Sequence, residues 1–129
     1  LTVAQNIAFG LHKGLRSPGR RRARSEAAPW LEKMQLAAVA DHYPRQISGG
    51  QRQRTALART CATRPRWLLL DEPFSALDTA LRAQMREHMS ALQRELGIPL
   101  LLITHDPEDA QALADETARI ENGRLRHEA

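Results

Sequence analysis

The chain has 129 residues and a formal charge of +4, and it is 42% hydrophobic but only 4% aromatic. That length suits one domain of ordinary size with a core of its own. No apolar run approaches the roughly 18 residues of a membrane span and no secretory leader opens the sequence, so membrane association is expected to come through a partner.

Thr2 and Gln5 are spaced as a capping box for a first helix with Val3, Ile7 and Leu11 on one face. The basic stretch from Arg16 to Arg24 follows, and its positive charge invites a nucleic-acid reading. It has no interleaved aromatic to stack on bases and holds Pro18 and Gly19 as breakers, which makes a solvated, mobile connector the preferred reading. Attraction to anionic lipid headgroups is the third. A second helix is expected over about 25–38, and Asp41-His42-Tyr43-Pro44 reads as a connector.

A third helix is expected over about 49–62, with Ser48 as N-cap and Gln51 as its capping-box partner. Cys61, the single cysteine, lies in this helix beside Leu57 and Ala58. It reads as a small core residue, no internal disulfide is possible, and a reducing cytoplasm is the simplest compartment. The run from Trp67 to Asp71 reads as a short buried strand. A helix with Leu81, Met85, Met89, Leu92 and Leu96 on one stripe comes next and is ended by Gly97-Ile98-Pro99. A second buried strand over 99–104, a short helix over 107–113 and a strand over 117–120 leading into an Asn122-Gly123 hairpin turn complete the chain. Strands alternating with helices argue an α/β fold with a parallel sheet.

Two segments point to phosphate chemistry. The Ser48-Gly49-Gly50-Gln51 turn sets two glycines at a helix N-terminus, where a phosphate can approach bare backbone N–H groups. The apolar strand that follows stops abruptly at Asp71-Glu72, as a parallel strand does at an active-site edge. Ile47-Ser48-Gly49-Gly50-Gln51 and Leu68-Leu69-Leu70-Asp71-Glu72 resemble the signature and the Walker B strand of the ATP-binding cassette (ABC) ATPases, with Ile47 in place of the usual leucine. Ser75-Ala76-Leu77-Asp78 resembles that family's D-loop, and Ile103-Thr104-His105-Asp106 resembles its switch-histidine loop. The four motifs stand in family order and span most of the chain.

The resemblance implies a partial P-loop NTPase fold, with residues 1–46 as part of a helical subdomain and 47–129 as part of the ATPase core. No Gly-x-x-x-x-Gly-Lys-Ser/Thr segment occurs, although that loop holds the phosphates in P-loop NTPases. Leu1 is therefore expected to fall in mid-domain; a degenerate cassette that has lost its own nucleotide grip is the alternative. Asp71 is implied as the Mg2+-side carboxylate, acting through a coordinated water. Glu72 is the implied general base or water orienter, and His105 is implied to donate to the γ-phosphate while holding Glu72 and the water in line. The acids Asp106, Glu108 and Asp109 read as charges favouring the next helix dipole rather than as a metal cluster.

The signature helix should be roughly 20 Å long at about 1.5 Å per residue, which is expected to carry Ser48 to the far end from the Walker B strand. On that reading Ser48, Gly49, Gly50 and Gln51 grip ATP bound to a second copy, in the head-to-tail dimer that the family uses, with Asp78 crossing between the two sites. The segment Leu1-Thr2-Val3-Ala4-Gln5-Asn6-Ile7 and the run from Asp71 to Asp78 resemble bacterial importers for sulfate, molybdate, iron, polyamines and sugars. Such a subunit is expected to lie peripherally on the cytoplasmic side of the inner membrane. Its expected partners are permease subunits and, indirectly, an extracytoplasmic substrate-binding protein, with no nucleic acid. The rival class is a non-transport cassette ATPase of translation or DNA repair. The short tail leans toward an oxyanion or metal importer.

Overall fold

The computed structural model describes residues 1–12 and 16–128. Helix α1 (Val3–Leu11) opens with the expected capping box, in which the Thr2 hydroxyl accepts from the Gln5 N–H and the Gln5 side chain accepts from the Thr2 N–H. Val3, Ala4, Ile7 and Ala8 are buried, whereas Leu11 is 40% exposed and leaves the apolar face expected of it. Gly10 lies so close to the third helix that a Cβ there would sit 2.4 Å from the Arg59 carbonyl oxygen.

Helix α2 (Arg20–Lys33) starts and ends about five residues before the expected span. The breakers begin the helix rather than a connector: Gly19 is its N-cap, and Pro18 presents its carbonyl to the Gln5 side chain. Arg20 to Arg24 thus form the first turn of α2, contrary to the mobile reading. Arg20 donates to the Tyr43 hydroxyl at 2.6 Å, Arg22 pairs with Glu26 at 2.6 Å, and Arg24 pairs with Asp41. Gln35, in the left-handed region at φ 54°, stops the chain from continuing the helix. Two short 3-10 turns (Ala37–Val39 and Pro44–Gln46) lead to the third helix.

Helix α3 (Gly49–Ala62) has the expected bounds. It buries Leu57, Ala58 and Cys61 against α1, and burial raises the Cys61 thiol pKa to about 11. Arg54, also buried, donates to the Met34 and Gln35 carbonyls at the end of α2. Those carbonyls have no acceptor role left inside the helix, so the guanidinium serves as a C-cap supplied from another element.

Strand β1 (Leu68–Asp71) pairs in parallel with β2 (Leu100–Ile103), Leu68 opposite Leu100 and Asp71 opposite Ile103. Between them runs α4 (Thr79–Leu96), capped by the Asp78 side chain and ended by Gly97 at φ 59°. Met85, Met89 and Leu92 of its stripe are buried, and Leu81 and Leu96 pack at the margin. The strands are buried on one face only. Leu68 and Leu70 enter the core, while Leu69, Leu101 and Ile103 are more than half or half exposed, against the expectation of strands covered on both faces. Helix α5 (Pro107–Leu113) precedes an antiparallel hairpin of β3 (Thr117–Glu121) and β4 (Arg124–Glu128). Asn122 and Gly123, both at positive φ, make its two-residue turn.

Candidate nucleotide-hydrolysis site

Parallel pairing brings the ends of β1 and β2 side by side, which carries Asp71, Glu72 and His105 to one edge of the sheet. Asp71 ends β1 and is exposed. Glu72 leaves the strand at φ 47°, an uncommon conformation for a non-glycine residue and one that the surroundings must hold in place. Its N–H donates to the Ile103 carbonyl at 2.8 Å, extending the ladder by one bond. Its carboxylate turns to the neighbouring loop. Glu72 Oε1 accepts from the His105 N–H at 3.0 Å and meets His105 Nδ1 at 2.6 Å.

The imidazole is therefore oriented by its own main chain and by one carboxylate oxygen, although it is 82% exposed. The hydrogen bond to Glu72, and then the charge of Glu72, raise the His105 pKa above its ordinary value, so the imidazolium is favoured. Since an ionised carboxylate can only accept, Nδ1 is the donor of this pair and Nε2 points elsewhere. Among the described residues no donor meets Glu72 Oε2, which is left for another group.

A second layer holds the His105 loop. The Thr104 hydroxyl donates to Asp109 Oδ2 at 2.8 Å and accepts from the Asp106 N–H at 3.0 Å. Arg86 of α4, buried, donates to Asp109, Glu108 and Asp106 at 2.6, 2.7 and 2.8 Å, and Arg82 donates to Asp106 at 2.8 Å. The acids of α5 are thus arginine partners as well as first-turn charges, with Asp106 as N-cap. Arg82 also donates to the Leu77 carbonyl, linking this loop to the Ser75–Asp78 segment. Neither arginine stood out in the sequence; their spacing of four on one helix, followed by acids at 106, 108 and 109, is the signal that could have found them.

The Ser48 turn has the expected capping box, Gln51 N–H to Ser48 Oγ at 3.1 Å and Ser48 N–H to Gln51 Oε1 at 2.9 Å. Gly49 and Gly50, the first two helical residues, have N–H groups with no intrahelical acceptor. The first turns of α3 lie against the Ser75–Asp78 segment, not at the far end from the carboxylates as its length suggested. A Cβ on Gly50 would meet the Ala76 carbonyl oxygen and Leu77 Cδ2 at 3.1 Å. Gln53, one turn further, bonds the Glu72 carbonyl. Helix length measures only distance along its own axis, and it is the N-terminal end of α3 that lies beside the loop following β1. The length argument for a site split between two copies therefore fails, and Gly50 has a packing role in its own chain. Asp78 caps α4 through the Leu81 N–H at 2.9 Å.

Among the described residues, no three His, Cys, Asp or Glu side chains gather as a metal site, and no helix is long and apolar enough to cross a membrane.

The sheet edge thus carries a Glu–His pair, beside a capped Ser-Gly-Gly helix start. Residues 1–75 match the ABC transporter family, and the chain belongs to it. It is 46% identical over 125 residues to a sulfate/thiosulfate import ATP-binding protein of Gloeobacter violaceus, covering 97% of this chain and 36% of that protein. It is 42% identical to a spermidine/putrescine import ATP-binding protein of Trichodesmium erythraeum, covering 97% of this chain and 32% of that one. The chain thus spans about a third of the length of the curated relatives it matches. Among solved structures, the ATP-binding cassette MJ0796, a dimer in a post-hydrolysis state with ADP and Pi, superposes with a TM-score of 0.82 at 30% identity over 98% of this chain and 56% of that one. A putative metal-chelate ABC transporter in an inward-facing conformation gives 0.79 at 25% identity, over 99% of this chain and 52% of that one.

Proposed function

We propose that this chain is part of the ATPase subunit of an ABC importer, supplying the signature helix, the Walker B carboxylates, the D-loop and the switch histidine. Residues 1–46 belong to its helical subdomain and 47–129 to its ATPase core. The observation that carries this reading is the 2.6 Å contact of Glu72 with His105 at the edge of a parallel sheet, next to the carboxylate of Asp71. The import functions named for the relatives favour transport over translation or DNA repair. A sulfate-like oxyanion is the first cargo to test.

Asp71 offers an exposed, hard oxygen ligand, the donor type that suits Mg2+. When bound with ATP, Mg2+ neutralises charge on the phosphate oxygens. Glu72 holds one oxygen on His105 and keeps the other free to accept from the attacking water, as a general base requires. His105 Nδ1 donates to Glu72, so Nε2 donates to the γ-phosphate in the imidazolium form, which the Glu72 carboxylate favours. The Ser48 hydroxyl and the Gly49 and Gly50 N–H groups grip the γ-phosphate of ATP bound to a second copy, with Gln51 closing the cap that shapes them. Asp78 faces the same dimer interface. The dimeric state of the cassette MJ0796 supports a pairing of two copies. The subunit lies on the cytoplasmic side of the inner membrane against permease subunits, and an extracytoplasmic binding protein delivers the cargo.

The test is Glu72→Gln in the complete subunit. ATP binding is expected to persist and the dimer to be trapped, while hydrolysis falls on the order of 10²-fold or more. Unchanged steady-state hydrolysis would remove Glu72 from the reaction.

A further inference from the structure

One side chain joins the signature helix to the carboxylate loop. Gln53 Nε2 donates to the Glu72 carbonyl at 2.9 Å and to Ser75 Oγ at 3.2 Å, and its Oε1 accepts from the Ala76 N–H at 3.0 Å. A backbone N–H can only donate and a carbonyl can only accept, so the amide has one orientation that satisfies all three bonds. Ser75 Oγ donates in turn to the Glu72 carbonyl at 3.1 Å. The Ser75 N–H donates to it as well, at 3.3 Å, so that carbonyl takes three hydrogen bonds at the residue whose φ of 47° is the uncommon one, and Gln53 supplies the shortest of them. The peptide plane of Glu72 decides where its carboxylate leaves the strand, and a main chain in this region persists only when its surroundings over-determine it.

We propose that Gln53 is a positioning residue, which fixes the Glu72 main chain and the Ser75–Ala76 turn and so aims the Glu72 carboxylate at His105. It touches no reacting atom. The inference rests on the reading of Glu72 as the water-activating carboxylate. Gln53 is half-buried and lies on the α3 face that meets this loop one turn after Gly50, where close packing against Ala76 and Leu77 brings the amide within reach.

The experiment uses the complete subunit and two variants. Gln53→Ala removes all three bonds; Gln53→Glu keeps the shape and the acceptor for the Ala76 N–H but loses the donor to Glu72. Both are expected to lower kcat on the order of 10²-fold, as a displacement of about 1 Å does, with KM for ATP unchanged. In both, the NMR titration midpoint of His105 is expected to fall toward its ordinary value of 6.5, a shift that a merely structural side chain would not cause. A kcat equal to that of the parent in the folded Gln53→Glu variant overturns the proposal. So does a His105 midpoint that stays where it was. The titration needs no ATP: a parent subunit that fails to hydrolyse ATP overturns the functional reading, while the midpoint still judges the Gln53 link.

Discussion

Glu72 and His105 depend on each other. A histidine whose folded pKa is raised contributes stability that is fully present below its unfolded value, near 6.5, and that is lost as pH rises through the higher folded value. The pair is therefore tightest below that unfolded value and weakens as pH rises through the higher folded one. In Glu72→Gln the amide can still meet the imidazole but brings no charge, so the His105 midpoint should drop, as NMR titration of the ring protons would register. A midpoint unmoved by the substitution would mean that Glu72 is not what holds His105. The residue types of this pair were legible from the chain, since an acid after an apolar strand and a histidine after the next one predict a shared edge. The left-handed turn at Glu72 was not, because nothing at a glutamate announces positive φ.

At the scale of elements, capping and stripes reported faithfully. Thr2 with Gln5, Ser48 with Gln51, and the stripe of α4 all act where their spacing puts them, because a capping box and a 3.6-residue period are local properties. Contacts between elements escaped that reading. Gly10 looked like an ordinary helix residue, yet it lets α1 approach the Arg59 carbonyl more closely than any Cβ allows. Gly10→Ala should push α1 away from α3 and destabilise the fold by about 1–3 kcal/mol, despite alanine's better helix propensity. Chemical denaturation would measure this, and a stabilised variant would contradict the close packing. The bounds of α2 were misjudged for a related reason. Arg20 and Arg24 are held by Tyr43 and Asp41, so side chains distant in sequence, together with the local Arg22–Glu26 pair, turn a polar run into a helical first turn.

At the scale of the whole molecule, α4 is the spine that joins the two loops of the site. Arg86 is buried among Asp106, Glu108 and Asp109. Burial works against its charge, and the hydrogen bonds to Asp109 and Glu108 more than offset that, so the guanidinium is held firmly protonated. Arg86→Met keeps much of the volume but strands Asp109, which is only 3% exposed, without its cation. The loss should be about 3 kcal/mol, read from thermal or urea unfolding. It should be accompanied by a looser His105 loop, seen as faster amide exchange at Thr104 and Asp106. Stability equal to that of the parent would show that the acids are satisfied without Arg86.

What the sequence determined by itself is the set of local signals: the caps, the apolar periods, the Asn122-Gly123 turn and the order of the four motifs that identify the family. These depend on neighbours within a few residues, and they survive in any fold that the chain adopts. Only the tertiary structure decided which groups meet. It put Gln53 against the Glu72 carbonyl across 19 residues and Arg86 against Asp109 across 23. Hydrogen bonds of this kind are set by how α3 and α4 pack against the loops that follow β1 and β2, and no spacing along one helix or strand encodes that packing.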